Sequence, residues 1–177
     1  MTAEDGKLAR HILLIGFMGS GKSTVARLLA RSTGRPLVDT DDGIEHMVGR
    51  SIPEIFSVEG EEAFRAYERE YLLRLVGERP SIVSCGGGIV TTAPCRELLS
   101  HLGCVVFLEV GADEALERIG SSSSRPLLKG VDEMRALLEA RLPWYREVAD
   151  VCVDTSGRKP GQIADEVRAA LGERGIL

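Results

Sequence analysis

The stretch GFMGSGKS, Gly16 to Ser23, carries chemistry most plainly. It matches G-x-x-x-x-G-K-[ST] in full, the pattern of a loop that cradles nucleotide phosphates. In such a loop the backbone N–H groups around Gly19, Ser20, Gly21, Lys22, Ser23 and Thr24 turn inward onto phosphate oxygens. Glycines permit that close approach. Lys22 is the cation for the β- and γ-phosphates, and the Ser23 hydroxyl is a magnesium ligand. The helix that starts here adds its positive end. An apolar run, HILLIGFM, precedes the loop and an amphipathic run, KSTVARLLARST, follows it. A chance glycine turn lacks that context.

A nucleotide site needs acids near the metal and the acceptor. Asp39-Thr40-Asp41-Asp42 follows the short apolar pair Leu37-Val38. In extended chain, residues i and i+2 share a side, so Asp39 and Asp41 are expected to face the cleft together. One would hold magnesium through water, and the other would orient or deprotonate an acceptor hydroxyl. Gly86-Gly87-Gly88 ends another strand-like run, SIVSCGGG. Three glycines cost conformational entropy, so their use points to close backbone approach to a ligand. On position alone, Arg65 and Arg141 read as solvated helix residues, with Glu68 placed to pair with Arg65 at i+3. His11, His46 and His101 show no triad or metal-ligand spacing and read as structural.

These residues need a frame. HILLIGFM, PLVDTDD, SIVSCGGG, CVVFLEV and VCVDT read as five strands. Between them lie runs of helical period. Val25, Leu28 and Leu29 mark one apolar face. Phe64, Tyr67, Tyr71 and Leu75 mark another, and Ile163, Val167 and Leu171 mark the last. Ser51 and Glu54 match a capping box, with Pro53 in the first turn. The alternation implies an α/β fold: a three-layer sandwich with a central five-stranded parallel sheet and helices on both faces. Ligands of such sheets sit beyond the carboxyl ends of the strands, where every candidate group above falls.

The chain has 177 residues and a net charge of −5. That length suits one domain. The acidic balance disfavours nucleic acid and anionic membranes as generic partners, so an anionic ligand must be held by a few placed cations. The longest apolar stretch, Ile12 to Met18, is too short to span a bilayer, and MTAEDGKLAR has no apolar signal core. Residues 1–10 read as a flexible start. Cys85, Cys95, Cys104 and Cys152 show no C-x-x-C spacing. Cys85, Cys104 and Cys152 sit in apolar runs, where small buried thiols are expected. The expected compartment is the reducing cytosol.

GSSSSRPLLKG, residues 120 to 130, has the composition of a linker. Yet only about 57 residues follow Gly120, a marginal size for an independent core. A mobile lid is the better account. The serines would give it motion.

Taken together, the chain resembles shikimate kinase. The matching marks are GFMGSGKST, DTD at 39–41, GRSIPEIFSVEGEEAFRAYE at 49–68, GGGIV at 86–90, RPLL at 125–128 and RLPWYREVA at 141–149. They span about His11 to Pro160. Cys85 departs from the Leu or Thr that the family often carries there. The resemblance implies a monomeric, cytoplasmic, single-domain kinase of the nucleoside-monophosphate-kinase type. Its substrates would be ATP and shikimate, its metal Mg2+, and its product shikimate 3-phosphate on the route to chorismate and the aromatic amino acids. By the family's pattern, Ser23 and Asp39 hold the metal, and Asp41 contacts the acceptor hydroxyls as candidate base. Arg65 and Arg141, from a helical segment at about 42–80 and a later helix, hold the shikimate carboxylate. Gly86, Gly87 and Gly88 add backbone contacts. Arg118 lies against adenine, with the turn at Arg158 and Pro160 opposite, and Arg125 closes over the phosphates from the lid. Two other readings share the phosphate loop: a gluconate-kinase-like enzyme and a non-catalytic ATP-binding module. The first leaves Arg65, Arg141 and the glycine run without a purpose. The second should have lost Lys22, Asp41 or Arg125.

Overall fold

Successive side chains of the first strand, β1 (His11–Ile15), point to opposite faces, and all five of its residues are buried. Ile12 and Leu14 enter one apolar cluster, and Leu13 and Ile15 enter another. A strand with core on both faces is the signature of a covered parallel sheet. The structure is a computed structural model and describes residues 10–120 and 131–177.

β1 is followed by α1 (Lys22–Thr33), β2 (Leu37–Asp39), α2 (Thr40–Val48), α3 (Ile52–Val58) and α4 (Gly60–Arg74). Next come β3 (Ile82–Ser84), a 3-10 turn at Ile89–Thr91, α5 (Ala93–Leu102) and β4 (Gly103–Glu109). α6 (Ala112–Gly120), α7 (Val131–Val148), β5 (Val151–Asp154) and α8 (Pro160–Glu173) complete the order. The five strands are all parallel, as the sequence pattern implies, and lie in the order β2-β3-β1-β4-β5. The phosphate loop therefore leaves the central strand.

On one face, Val25, Ala26 and Leu29 of α1 meet Ile163, Val167 and Leu171 of α8 over Ile12, Leu14, Val106 and Leu108. On the other, α4, α5 and α7 bring Leu72, Leu99 and Tyr145 over Leu13, Ile15, Val83 and Phe107. Each fully buried Leu, Val or Ile of these layers contributes about 1.5–3 kcal/mol. A third small cluster, Ile44, Ile55 and Phe64, ties α2, α3 and α4 together. It forms the platform beside the cleft. The predicted capping box is present at α3, where Glu54 Oε2 accepts from the Ser51 N–H at 2.8 Å and its hydroxyl at 2.6 Å. α7 runs unbroken through Pro143.

Two sequence expectations are corrected. Asp39-Thr40-Asp41 is not extended: β2 stops at Asp39, and α2 starts at Thr40. The Asp39 carboxylate accepts from the N–H groups of Asp41 and Asp42, at 3.0 and 3.4 Å. That N-cap wins over strand continuation. Cys152 is exposed, unlike Cys85, Cys95 and Cys104. β5 is an edge strand in which Val151 and Val153 are buried and the residues between point outward.

His11 is structural, as its spacing suggests. Its Nε2–H donates to the Leu75 carbonyl at 3.0 Å, and Nδ1 accepts from the Ser81 N–H at 3.1 Å. Gly103 faces it across the β1–β4 ladder. A Cβ there would collide with the His11 carbonyl oxygen and stand 2.7 Å from its carbon. Since backbone must yield, Gly103→Ala is expected to cost about 3 kcal/mol. For this chain length that lowers Tm by roughly 6–12 °C. Thermal unfolding followed by circular dichroism checks it, and an unchanged Tm would show that the ladder widens freely.

Candidate active site

A cleft of about 410 Å³ opens where β1, β2 and β3 end. The phosphate loop forms its floor. Gly19 has φ 79, and a Cβ on it would lie 2.7 Å from the Ala115 carbonyl oxygen. Only glycine fits both demands. Ser20 is fully buried, with its N–H bonded to the Phe17 carbonyl at 3.2 Å. Lys22 Nζ donates to the carbonyls of Gly16 and Phe17 at 2.8 and 2.9 Å. The ammonium is thereby held at the mouth of the loop. α1 begins after Gly21 and carries no acid in its first turn, so its positive end is not offset from within.

Ser23 Oγ donates to Asp39 Oδ2 at 3.4 Å and shares a 3.2 Å hydrogen bond with Ser84 Oγ. Asp39 thus spends one oxygen on capping α2 and turns the other toward Ser23. These hard oxygen donors suit Mg2+, which keeps several waters and leans on substrate phosphates. Among the described residues no group of three His, Cys, Asp or Glu forms a protein-only metal cage.

The glycine run lies hard against side chains of the site. A Cβ on Gly86 would lie 2.5 Å from Asp41 Oδ1, and one on Gly88 would lie 2.6 Å from Arg65 Nη2. Thr40 Oγ1 fixes the Gly86 N–H at 2.9 Å. The Gly87 carbonyl accepts from Arg141 Nη1 at 3.4 Å and from the Tyr145 hydroxyl. So Asp41, Arg65 and Arg141, from three different helices, converge on three consecutive glycines.

Arg65 pairs with Glu68 Oε2 at 2.8 Å and Glu61 Oε1 at 2.9 Å, and lies over the Phe64 ring. Burial works against its charge, but Glu68 and Glu61 outweigh it and raise its pKa. Glu68 is only 1% exposed. Burial pushes its carboxyl up to about 7, against the pull of Arg65. Its Oε1 and Arg141 Nε are buried with no hydrogen-bond partner among the described residues. Both orphans border the acceptor side, where a polar ligand would satisfy them.

On the nucleotide side, Arg118 donates to the Gly19 carbonyl at 3.2 Å, to Thr155 O at 2.8 Å and to Glu114 at 2.5 Å. Glu114 also accepts from the Gly157 N–H at 2.9 Å, so it ties Arg118 to the turn before α8. Arg158 bonds the Asp154 carbonyl at 2.9 Å and pairs with Glu166 at 2.5 Å. Arg118, Thr24, Asp39, Asp41, Gly86 and Gly87 line the cleft; Arg65, Gly88 and Arg141 stand behind that lining, and Arg158 lies outside it. The lid expected at 120–130 falls, beyond the last residue of α6, on residues 121–130 with Arg125, which lie outside the described residues. Sequence reasoning passed over Ser84, Thr40 and Tyr145 and read Glu68 as an ordinary helix partner. Ser84 had a signal, since it stands at a strand end before the glycines. The rest depend on contacts distant in sequence.

A parallel sheet with a phosphate loop after its central strand, an acid pair beside it and two arginines across a glycine run defines a P-loop small-molecule kinase. The comparisons narrow this. A family model described as shikimate kinase matches residues 18–172. The shikimate kinase of Mycobacterium marinum is 42% identical over 169 residues, covering 94% of this chain and 91% of its own. That of Moorella thermoacetica is 44% identical over 163 residues, covering 91% and 94%. The chain belongs to the shikimate kinase family. The structure of the Acinetobacter baumannii enzyme in complex with shikimate is 35% identical, with a TM-score of 0.89 over 99% of this chain and all of that one. A gluconokinase from Sinorhizobium meliloti, 21% identical with a TM-score of 0.60 over 94% of each chain, shares the fold alone.

Proposed function

We propose that this protein transfers the γ-phosphoryl group of ATP to the 3-hydroxyl of shikimate, giving shikimate 3-phosphate and ADP, a step toward chorismate and the aromatic amino acids. The observation that carries it is the convergence of Asp41, Arg65 and Arg141 on Gly86–Gly88 beside the phosphate loop. Two guanidiniums suit a carboxylate acceptor. Gluconate is also a carboxylate, but its kinase is a neighbour by fold only.

Placement supports the following roles. Lys22 and the N–H groups from Gly19 to Thr24 hold the phosphates, and Lys22 offsets charge on the transferred group. Ser23 and Asp39 hold Mg2+, which when bound neutralises phosphate oxygens. Asp41 orients the acceptor hydroxyl and takes its proton. Arg65 and Arg141 hold the carboxylate, and Gly86 to Gly88 shape the wall. Arg118 flanks adenine, with Arg158 bracing the turn beyond it. Arg125 remains assigned to the phosphates by the family's pattern alone. We take the protein to be a cytosolic monomer. Among the described residues no helix is long and apolar enough to cross a membrane.

The test is product identification. The protein is incubated with ATP, Mg2+ and either shikimate or gluconate, and products are read by mass spectrometry and 31P NMR. Equal amounts of ADP and shikimate 3-phosphate are expected. Turnover of gluconate with none of shikimate, or ATP binding with no transfer, would end this reading.

A further inference from the structure

Tyr145 is fully buried on α7. Its ring stacks on Phe107 of β4, with centroids 5.0 Å apart and planes 10° from parallel. A phenylalanine would fill that space, so the hydroxyl needs its own explanation. Buried hydroxyls take partners, and this one donates to the Gly87 carbonyl, 58 residues away in sequence. Burial pushes the phenol up to about 12, so it keeps its proton as a donor.

Gly87 is where the two halves of the cleft meet. A Cβ on it would stand 3.5 Å from the Met18 nitrogen and 3.6 Å from the Gly16 oxygen. Gly16 O is also the oxygen that holds Lys22 Nζ. On either side, Gly86 packs on Asp41 and Gly88 on Arg65. A shift of Gly87 therefore changes the distance from the phosphate loop to the acceptor groups. Arg141 shares the carbonyl at 3.4 Å, but in the proposed reaction its guanidinium also holds the acceptor carboxylate. The phenol is the holder that does not have to serve the substrate.

We propose that Tyr145 is a positioning residue: its hydroxyl pins the Gly87 carbonyl, and so sets the register of the acceptor wall against the phosphate loop. This rests on the phosphotransfer reading above. It concerns geometry rather than affinity for ATP, because the phosphate loop itself is built without Tyr145.

The test is Tyr145→Phe, which keeps the ring and its stack. A misplacement of about 1 Å can cost on the order of 100-fold in rate. The expected result is at least a fivefold fall in kcat/KM for shikimate, with KM for ATP within twofold of the parent. Phe107→Leu is the control: it removes the stack and lowers Tm, but should leave kcat/KM for shikimate within threefold. Hydrogen exchange of the backbone amides at 86–91 gives a readout without turnover. It should speed up at least fivefold in Tyr145→Phe and stay unchanged in α1. The inference is overturned by a smaller fall in kcat/KM, by equal rises in both KM values, by an equal effect of Phe107→Leu, or by unchanged exchange at 86–91. A parent that leaves shikimate unphosphorylated would defeat the reaction assigned above, and the exchange result would still decide whether Tyr145 pins this loop.

Discussion

Asp41→Asn is expected to lower kcat by about 10²–10⁴-fold, the usual worth of a positioned general base, while KM for ATP stays within about twofold. The substitution is close to isosteric. The side chain occupies the space that Gly86 leaves open, and an amide fits there as well as a carboxylate. The helix start does not depend on it, since Asp39 caps α2 by accepting from the backbone N–H of residue 41. Lys22 and Ser23, on the other wall, keep their own partners. What is lost is the ability to accept a proton from the hydroxyl as the phosphoryl group arrives. Steady-state kinetics with each substrate varied in turn checks this. A kcat within tenfold of the parent would show that Asp41 orients the hydroxyl without deprotonating it.

That aspartate also shows where sequence reading succeeds and where it stops. The residue pair was legible because two acids directly follow a strand-like run. Extended chain does not bring them together: Asp39 spends one carboxylate oxygen on a helix N-cap, a local competition that sequence period does not reveal. The phosphate loop was legible because its eight residues act contiguously. The five strands and their parallel sense were legible from buried runs alternating with helical period. Their order in the sheet was not, because nothing local specifies which strands pair. Burial failed where one neighbour was missing. Cys152 stands in an apolar run, but its strand is at the sheet edge and its side chain points away from α8. Tyr145 and Glu68 both stand on helices near recognised arginines. Their meaning comes from Gly87 and from burial under other elements, both set by tertiary packing.

Glu68 makes the last expectation twofold. Arg65→Ala is expected to raise KM for shikimate by about 10–100-fold, the loss of a charged hydrogen bond worth roughly 1.5–3 kcal/mol, with little change in KM for ATP. It should also destabilise the fold in a pH-dependent way. The Glu68 carboxyl is pushed up to about 7 in the folded protein from an ordinary value of 4.5. The folded state therefore holds a proton that the unfolded chain has released, and stability falls as pH rises from about 4.5 through 7. Arg65 opposes that rise. Without it the carboxyl climbs further, and the loss of stability continues above pH 7. At pH 5 the carboxyl is protonated in parent and variant alike, so the variant loses little beyond packing. At pH 8 it should lose up to about 1.4 kcal/mol more than at pH 5, because the stranded acid holds its proton one pH unit above the point where the parent's is released. Urea unfolding at both pH values measures the difference. Adding Glu68→Gln to Arg65→Ala removes the stranded acid, so stability at pH 8 should return while shikimate affinity does not. Equal destabilisation at pH 5 and pH 8 would mean that Glu68 is not the buried charge that Arg65 compensates. Recovery of shikimate affinity in the double variant would mean that Arg65 serves the fold rather than the carboxylate.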